Sequence, residues 1–163
     1  MKAFFDTNVI VYAHDRSAGR KQLRAIDLLD QHARASALVV STQVLIESYN
    51  ALQRAALLTC EAALTVVETL TRAHVVPANA DSVLRGLRLS QRYKLSHSDG
   101  LVVRAALDAG CTTLYTEDMQ AGQRFDELEV VNPFADVAHE ARAGYAAKVA
   151  RKRRAAPAKR RKG

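Results

Sequence analysis

The stretch Lys2-Ala-Phe-Phe-Asp6-Thr7-Asn8 decides the fold that we expect for this chain. Its apolar residues predict a short buried strand, and Asp6 follows directly at the carboxyl end of that strand. The chain then breaks into a helical turn at Asn8. The stretch therefore delivers a carboxylate to the end of a strand, which is where the functional crevice of an open α/β sheet lies.

Strand and helix patterns alternate along the rest of the chain. Short apolar or β-branched runs predict further strands at residues 37–41, 74–77, 112–116 and 129–132. Apolar residues at helical spacing predict helices at residues 20–33, from about Thr42, after a cap at Thr59, at residues 81–93, at residues 98–109 after a cap at Ser96, and at residues 135–150. This alternation predicts an α/β fold, with a mainly parallel sheet of about five strands and helices on both faces.

The same patterns predict which side chains are buried. On the helix at residues 20–33 the apolar stripe consists of Leu23, Ile26, Leu29 and Ala33. On the helix at residues 81–93 the residues expected to face inward are Val83, Leu84, Leu87 and Leu89. The two cysteines, Cys60 and Cys111, have neither metal-site nor disulfide spacing, so we expect both to be buried packing residues.

Length and charge indicate one folded domain with a basic tail. A chain of 163 residues has room for a single good core. Nine of the 24 lysine and arginine residues lie in residues 148–163, which contain no acid, so 15 remain against 17 acidic residues and residues 1–147 carry a net charge of −2. We therefore expect a domain at residues 1–147 and a polybasic, disordered tail at residues 148–163. No apolar run approaches the roughly 20 residues that span a bilayer, and the amino terminus does not resemble a signal peptide, so we expect a soluble, cytoplasmic protein.

Four acidic residues are expected to meet at one edge of the sheet: Asp6, Glu47, Asp99 and Asp118. Each follows a strand or lies near the start of a helix that packs beside one. Clustered carboxylates repel one another unless a cation lies between them. An all-oxygen set without His or Cys suits Mg²⁺ or Mn²⁺ and not Zn²⁺. Such a site could hydrolyse a phosphodiester by metal-activated water.

Each acid also has a simpler interpretation. Asp6 could be an ordinary turn or cap residue, and Glu47 could lie on a solvated helix face. Asp99 could complement a helix dipole, and Asp118 could be a loop acid beside Glu117. Only their common location favours a functional site.

An ordered set of motifs resembles a PIN-domain ribonuclease, and most closely the toxin half of VapBC toxin–antitoxin pairs. The motifs cover the chain from Lys2 to about Phe134 and are Phe5-Asp6-Thr7-Asn8-Val9-Ile10-Val11-Tyr12-Ala13, Glu47, Leu95-Ser96-His97-Ser98-Asp99, Leu114-Tyr115-Thr116-Glu117-Asp118-Met119-Gln120-Ala121-Gly122-Gln123 and Val131-Asn132-Pro133-Phe134. The resemblance implies a three-layer α/β/α sandwich and cleavage of RNA that depends on Mg²⁺ or Mn²⁺. It further implies a homodimer and a cognate VapB-type antitoxin that docks near the acidic cleft.

The same resemblance assigns roles to individual positions. Asp6, Glu47, Asp99 and Asp118 match the acidic quartet of the family, as catalytic residues and metal ligands. Asn8, Ser96, Thr116 and Glu117 match supporting positions. Ser98 and Gly100 depart from the pattern, where an aromatic residue and an alanine are usual, and would widen the pocket or loosen the start of that helix.

Basic residues supply candidate contacts to an RNA backbone. These are Arg16, Arg20 and Lys21, close to the first turn, and Arg151, Lys152, Arg153 and Arg154 in the tail. Either group could equally be a solvated surface, and the tail could also be a targeting-like basic stretch. Phosphate contacts of this kind raise affinity without reading sequence. His97 could serve as a general acid, although a surface or capping-turn histidine is the simpler interpretation.

Two functional classes remain open from the sequence. The first is the nuclease, and the second is a catalytically silent PIN-fold module that binds RNA or protein. An intact acidic quartet favours the nuclease, because a binder of a polyanion gains nothing from a negatively charged pocket. Phosphoryl transfer through an aspartyl intermediate is disfavoured, since no second aspartate lies two positions after Asp6. A deoxyribonuclease is disfavoured only by the resemblance.

Overall fold

The computed structural model describes residues 1–136, and its helices and strands lie in one compact unit, Met1–Pro133. The strands are β1 (Ala3–Phe5), β2 (Leu38–Ser41), β3 (His74–Val76), β4 (Thr113–Tyr115), β5 (Arg124–Phe125) and β6 (Leu128–Val131). The helices are α1 (Thr7–His14), a short 3₁₀ helix (Arg16–Ala18), α2 (Arg20–Arg34), α3 (Thr42–Arg54), α4 (Cys60–Leu70), α5 (Ala80–Tyr93) and α6 (His97–Asp108). The predicted helix at residues 135–150, except its first two residues, the tail at residues 148–163 and the boundary at residue 147 lie outside the described residues.

The sheet has the order β3-β2-β1-β4-β6-β5, and all pairs are parallel except the antiparallel pair of β5 and β6. The chain builds outward from β1 through β2 to β3, and then returns to the other side of β1 with β4. Because crossovers between parallel strands are right-handed, this reversal puts helices on both faces of the sheet. The predicted α/β/α fold is confirmed. The strand order reverses between β1 and β4, which is the place where such sheets form a crevice.

The core consists of apolar residues on the central strands. Phe4, Phe5, Val39, Val40 and Leu114 are fully buried. Strands covered on both faces read as continuous apolar runs, which explains why β1 and β2 could be recognised from the sequence. The ends of these strands are therefore held in a rigid, well-packed frame.

Side chains at the helix starts fix where the helices begin. Ser41, Thr59 and Ser96 accept hydrogen bonds from backbone N–H groups in the first turns of α3, α4 and α6. A capped start satisfies a backbone donor that would otherwise lack a partner, and is worth about 1 kcal/mol. The predicted caps at Thr59 and Ser96 are confirmed.

The predicted burial of apolar residues on two helices was wrong in part. Leu23 and Ile26 are 67% and 46% exposed, and the residues of α2 that are buried are Ala25 and Leu28. Leu84 of α5 is also exposed. Helical spacing identifies an apolar stripe but does not say whether the fold covers it.

Two smaller differences concern the strand count and one of the two cysteines. The sheet has six strands instead of about five, because the two-residue strand β5 is too short to show a period of its own. Cys111 is buried, as expected, and burial raises the pKa of its thiol to about 11. Cys60 is exposed, against expectation, and its Sγ lies 3.0 Å from Gln53 Oε1.

Gly100 has a structural role in the packing of α5 against α6. A Cβ at Gly100 would lie 2.6 Å from the backbone oxygen of Gly86 and 2.6 Å from Ser90 Cβ. Two helices can approach this closely only where a side chain is absent. Gly100 therefore tightens the contact of α6 with α5 and does not loosen the start of α6.

Among residues 1–136 we find no helix with the length and apolar character needed to cross a membrane.

Candidate active site

The four predicted acids line one open pocket of about 570 Å³ at the carboxyl end of the sheet. Asp6 follows β1 and Asp118 follows β4, so the strand ends at the reversal point carry two of them. Glu47 lies in the second turn of α3, and Asp99 lies in the first turn of α6. Four separate segments thus bring four carboxylates to one surface.

Asp6 is the buried member of the group, with 7% of its surface exposed. Its Oδ1 accepts a hydrogen bond from Thr7 N at 2.7 Å, and its Oδ2 accepts one from Thr116 Oγ1 at 2.7 Å. Burial raises the pKa of Asp6 to about 6, against the lowering effect of these two bonds, and the charges of Asp118 and Glu47 raise it further. Asp6 is thus a carboxylate that a nearby positive charge would stabilise.

Asn8 bridges Asp6 and Asp118. Its Nδ2 lies 3.1 Å from Asp6 Oδ2, 3.0 Å from Asp118 Oδ2 and 2.9 Å from Thr116 Oγ1. Ionised carboxylates only accept hydrogen bonds, so the amide must present its nitrogen to this side. Its Oδ1 is buried and has no hydrogen-bond partner among the described residues. Asn8 and Thr116 therefore fix the spacing of the two strand-end acids.

Glu47 is held by three donors from three helices. Thr7 Oγ1 donates to Oε2 at 3.0 Å, while Gln43 Nε2 and Ser98 Oγ donate to Oε1 at 2.7 and 3.0 Å. Gln43 Nε2 also donates to Ser98 Oγ at 2.8 Å, which closes a triangle of hydrogen bonds around Oε1. The position of Glu47 thus depends on α1, α3 and α6 together.

Asp99 is half-buried, and its carboxylate has no hydrogen bond or ion pair with any other side chain in residues 1–136. Its backbone N–H donates to Ser96 Oγ at 3.0 Å, which is the cap of α6. The backbone of Asp99 is therefore fixed while its carboxylate faces the pocket without a protein partner. His97 is exposed at the start of α6 and does not line this pocket.

The carboxylate of Glu117 binds partners other than those of the four pocket acids. Tyr12 Oη donates to Oε1, and Lys21 Nζ lies 2.6 Å from Oε2. Burial lowers the pKa of Lys21, but Glu117 and Tyr12 outweigh it and hold that pKa above its usual value. Because both oxygens of Glu117 are engaged, its geometry fits a supporting residue: it fixes Tyr12, a residue that lines the pocket.

The candidate basic residues are distributed around the site. Arg16 and Arg20 are exposed near the end of α1, and Lys21 is paired with Glu117. Arg54, which the sequence analysis did not single out, is a basic residue that lines the acidic pocket. The predicted contacts in the tail, Arg151, Lys152, Arg153 and Arg154, lie outside the described residues.

The sequence analysis missed Thr7, Gln43 and Ser98 as partners of Glu47. Gln43 lies one helical turn before Glu47, and this i, i+4 spacing was a usable signal. Thr7 and Ser98 are 40 and 51 residues away from Glu47 along the chain. No local pattern could have placed them at the same carboxylate.

The donor chemistry of the pocket fits Mg²⁺ or Mn²⁺. The described residues that line it include four carboxylates and no His or Cys. No three His, Cys, Asp or Glu side chains in residues 1–136 converge closely enough to hold an ion as they stand. Mg²⁺ dehydrates reluctantly and usually keeps several waters, so carboxylates that are spread around a pocket still suit it.

Comparison with known proteins gives one family. The model of the PIN domain family matches residues 3–124. Comparison with curated protein sequences gives no match.

Three solved structures with the same fold are a toxin and two toxin–antitoxin complexes. The toxin VapC20 of Mycobacterium tuberculosis, which cleaves the sarcin-ricin loop, has a TM-score of 0.59 at 18% identity, over 72% of this chain and 90% of that chain. A toxin–antitoxin complex from Klebsiella pneumoniae gives 0.60 at 21% identity, over 81% and 98%. VapBC2 from Rickettsia felis, bound to a DNA fragment from its promoter, gives 0.59 at 20% identity, over 81% and 98%. At these identities the likeness establishes the fold.

Proposed function

Since the chain belongs to the PIN domain family, we propose that it is a metal-dependent endoribonuclease, and that it is the toxin of a type II toxin–antitoxin pair. The observation that carries the proposal is the single pocket that Asp6, Glu47, Asp99 and Asp118 all line. A cluster of carboxylates is costly without a cation, and a protein that only binds a polyanion has no use for it.

The four acids would hold Mg²⁺ or Mn²⁺, directly or through water. The chemistry supplied by a bound ion at such a site is activation of a water molecule and neutralisation of the charge that develops on a phosphodiester. Thr7 and Thr116 orient the two oxygens of Asp6, and Asn8 keeps Asp118 beside it. Preorganised groups of this kind need no rearrangement during the reaction.

Basic residues at the rim would hold the RNA backbone. Arg54 lines the pocket, so it can contact a phosphate next to the cleaved bond. Arg16, in the 3₁₀ helix after α1, and Arg20, at the start of α2, are exposed and can extend this contact. We assign the same role to the basic residues 151–154, which would add affinity that falls as salt concentration rises.

Exposed apolar side chains support the proposal that a partner protein binds this chain. Leu23 and Ile26 of α2 are exposed, and a groove of about 530 Å³ between α2 and α4 is lined by Leu29, Val66 and Leu70. Exposed apolar surface of this kind is typical of protein interfaces. We therefore include a VapB-type antitoxin in the proposal, since two structures that share the fold are toxin–antitoxin complexes. We also include a homodimer that uses exposed apolar surface of the same kind.

The test is cleavage of labelled structured RNA and matched DNA in Mg²⁺, Mn²⁺ or EDTA. Wild type is compared with Asp6→Ala and Asp99→Asn, and with Asp30→Asn as a matched control. Asp30 is an exposed acid on α2 that pairs with Arg34 and lies outside the acidic pocket. We expect metal-dependent cleavage of RNA only, lost in the two pocket variants and kept in Asp30→Asn.

Two other outcomes of this experiment would indicate other functions. Equal cleavage of the matched DNA would make the protein a nuclease without RNA selectivity. Wild-type protein that is folded, free of antitoxin and inactive on several classes of RNA would instead be a PIN-fold binding module.

A further inference from the structure

We propose that Gln43 and Ser98 are positioning residues that orient Glu47 in the acidic pocket and limit the way in which it contacts a divalent cation. The inference rests on the proposed function. Ser98 stands where the sequence pattern led us to expect an aromatic side chain, and its hydroxyl lies 3.0 Å from Glu47 Oε1. The departure thus places a hydrogen-bond donor at an acid of the pocket.

The hydrogen bonds form a closed arrangement around one oxygen. Gln43 Nε2 lies 2.7 Å from Glu47 Oε1 and 2.8 Å from Ser98 Oγ. Ser98 therefore accepts from Gln43 while it donates its own proton to Glu47, which a hydroxyl can do at the same time. The carboxylate is connected in this way to α6 as well as to its own helix, α3.

The hydrogen bonds limit the number of acceptor sites on Glu47 that remain for a cation. A carboxylate has about four lone-pair sites, two on each oxygen. Gln43 and Ser98 occupy both sites on Oε1, whereas Thr7 occupies one site on Oε2. Glu47 can then offer a cation a single site, on Oε2, and cannot bind it through both oxygens while the two donors are in place.

The hydrogen bonds from Gln43 and Ser98 would fix the orientation of the Glu47 carboxylate and the number of contacts that it makes to a cation. A Glu side chain on an open helix face has three rotatable bonds, and holding it in one orientation costs entropy at each binding event. Donors that orient a ligating carboxylate reduce this cost, and loss of such a donor typically weakens metal binding by about 10- to 100-fold. Ser98 and Gln43 would supply this effect without contacting the cation.

The experiment measures Mn²⁺ binding by isothermal titration calorimetry on the full chain, first prepared free of metal with EDTA. The variants are Ser98→Ala, Gln43→Ala and the double variant, with Ser98→Thr as the version that keeps a hydroxyl. Gln31→Ala is the matched control, because Gln31 makes the same kind of helix-surface hydrogen bond to Asp27, on α2 and away from the pocket. The melting temperature of each metal-free variant is recorded in parallel.

We expect Ser98→Ala and Gln43→Ala to weaken Mn²⁺ binding about tenfold each, and the double variant to weaken it most. Ser98→Thr should stay within about twofold of wild type, and Gln31→Ala should match wild type. Melting temperatures without metal should change little, since Ser98 is exposed.

Two results would overturn the inference, and they are distinguishable. If wild type binds Mn²⁺ and the variants bind it equally well, with only their melting temperatures lowered, the hydrogen bonds serve packing alone and the proposed function stands. If wild type itself does not bind Mn²⁺, the metal-dependent function fails, and the inference fails with it.

Discussion

The two halves of the acidic pocket are built in different ways. The strand half consists of Asp6, Thr116 and Asp118 after the carboxyl ends of β1 and β4, where Asp6 and Thr116 are buried and Asp118 is exposed. The helix half, with Glu47, Ser98 and Asp99, lies on helices α3 and α6, and none of its three residues is buried. The strand half thus contains a carboxylate buried against the packed sheet, and the helix half contains no buried carboxylate.

This difference indicates how the two halves should respond to substitution. In the strand half, burial of the charged Asp6 carboxylate lowers the stability of the folded state. Removing that charge should therefore raise the stability. In the helix half, Glu47 and Asp99 are partly exposed, so we expect substitutions there to affect geometry more than stability.

Substitution of the buried acid should have the largest effect. Asp6→Ala should lower RNA cleavage in Mg²⁺ or Mn²⁺ by on the order of 10³-fold, since a metal site supplies several kcal/mol of stabilisation to the transition state. Single-turnover cleavage measures this loss, with Asp30→Asn as the control. Asp99→Asn in the helix half should cause a loss of similar size. A loss confined to Asp6→Ala would show that the helix half does not take part in catalysis.

Neutralising Asp6 should stabilise the metal-free protein at neutral pH. The pKa of Asp6 is raised from 3.8 to about 6, so the folded state holds its proton more tightly than the unfolded state does. Stability should therefore fall as pH rises from about 4 to about 6, by at most about 3 kcal/mol from this group, and remain lower above that range. In EDTA at pH 7.5, Asp6→Asn should unfold at a higher urea concentration than wild type.

The pH dependence supplies the control for this prediction. At about pH 3, below both pKa values, the carboxyl is mainly protonated in both states, so the advantage of Asp6→Asn should disappear. Parallel stability curves for wild type and variant from about pH 3 to about pH 8 would contradict the assignment of a burial cost to Asp6.

Gly100→Ala should test the packing on which the helix half depends. The new Cβ would lie 2.6 Å from the backbone oxygen of Gly86, which cannot move without shifting a helix. We expect destabilisation by about 1–3 kcal/mol in urea unfolding. Gly86→Ala should cost less, because the atom nearest to its Cβ is the end of the flexible Leu101 side chain, at 2.7 Å. Equal effects of the two substitutions would contradict this explanation.

Glu117→Gln should have the smallest effect. Tyr12 and Lys21 bind one oxygen of Glu117 each, and Glu117 is not among the described residues that line the acidic pocket. We expect a loss of cleavage below about tenfold, against the much larger loss in Asp118→Asn, its neighbour in the pocket. A loss in Glu117→Gln as large as that in Asp118→Asn would make Glu117 a ligand.

Much of the fold was predictable from the sequence because its signals are local. The apolar run before Asp6 and the β-branched run before Ser41 predicted β1 and β2, and both strands are buried. The caps at Thr59 and Ser96 were also visible, since a hydroxyl that caps a helix acts within three residues. The short strand β5 could not be found, because two residues show no period.

Burial of the helix faces was less predictable. The apolar spacing of Leu23 and Ile26 is the same whether a sheet, a partner or solvent covers them, and in the described structure they are exposed. Gly100 was also misjudged. Its importance depends on Gly86 and Ser90, which belong to another helix.

The sequence by itself determined the order of strands and helices and the position of each acid relative to a strand end, because these follow from periodicity and from residues close together in the chain. Only the tertiary structure decided which donors from distant parts of the chain hold each acid. Thr116 is 110 residues from Asp6, and Ser98 is 51 residues from Glu47. Hydrogen bonds over such separations depend on how strands and helices pack in three dimensions, and no pattern along the chain records that packing.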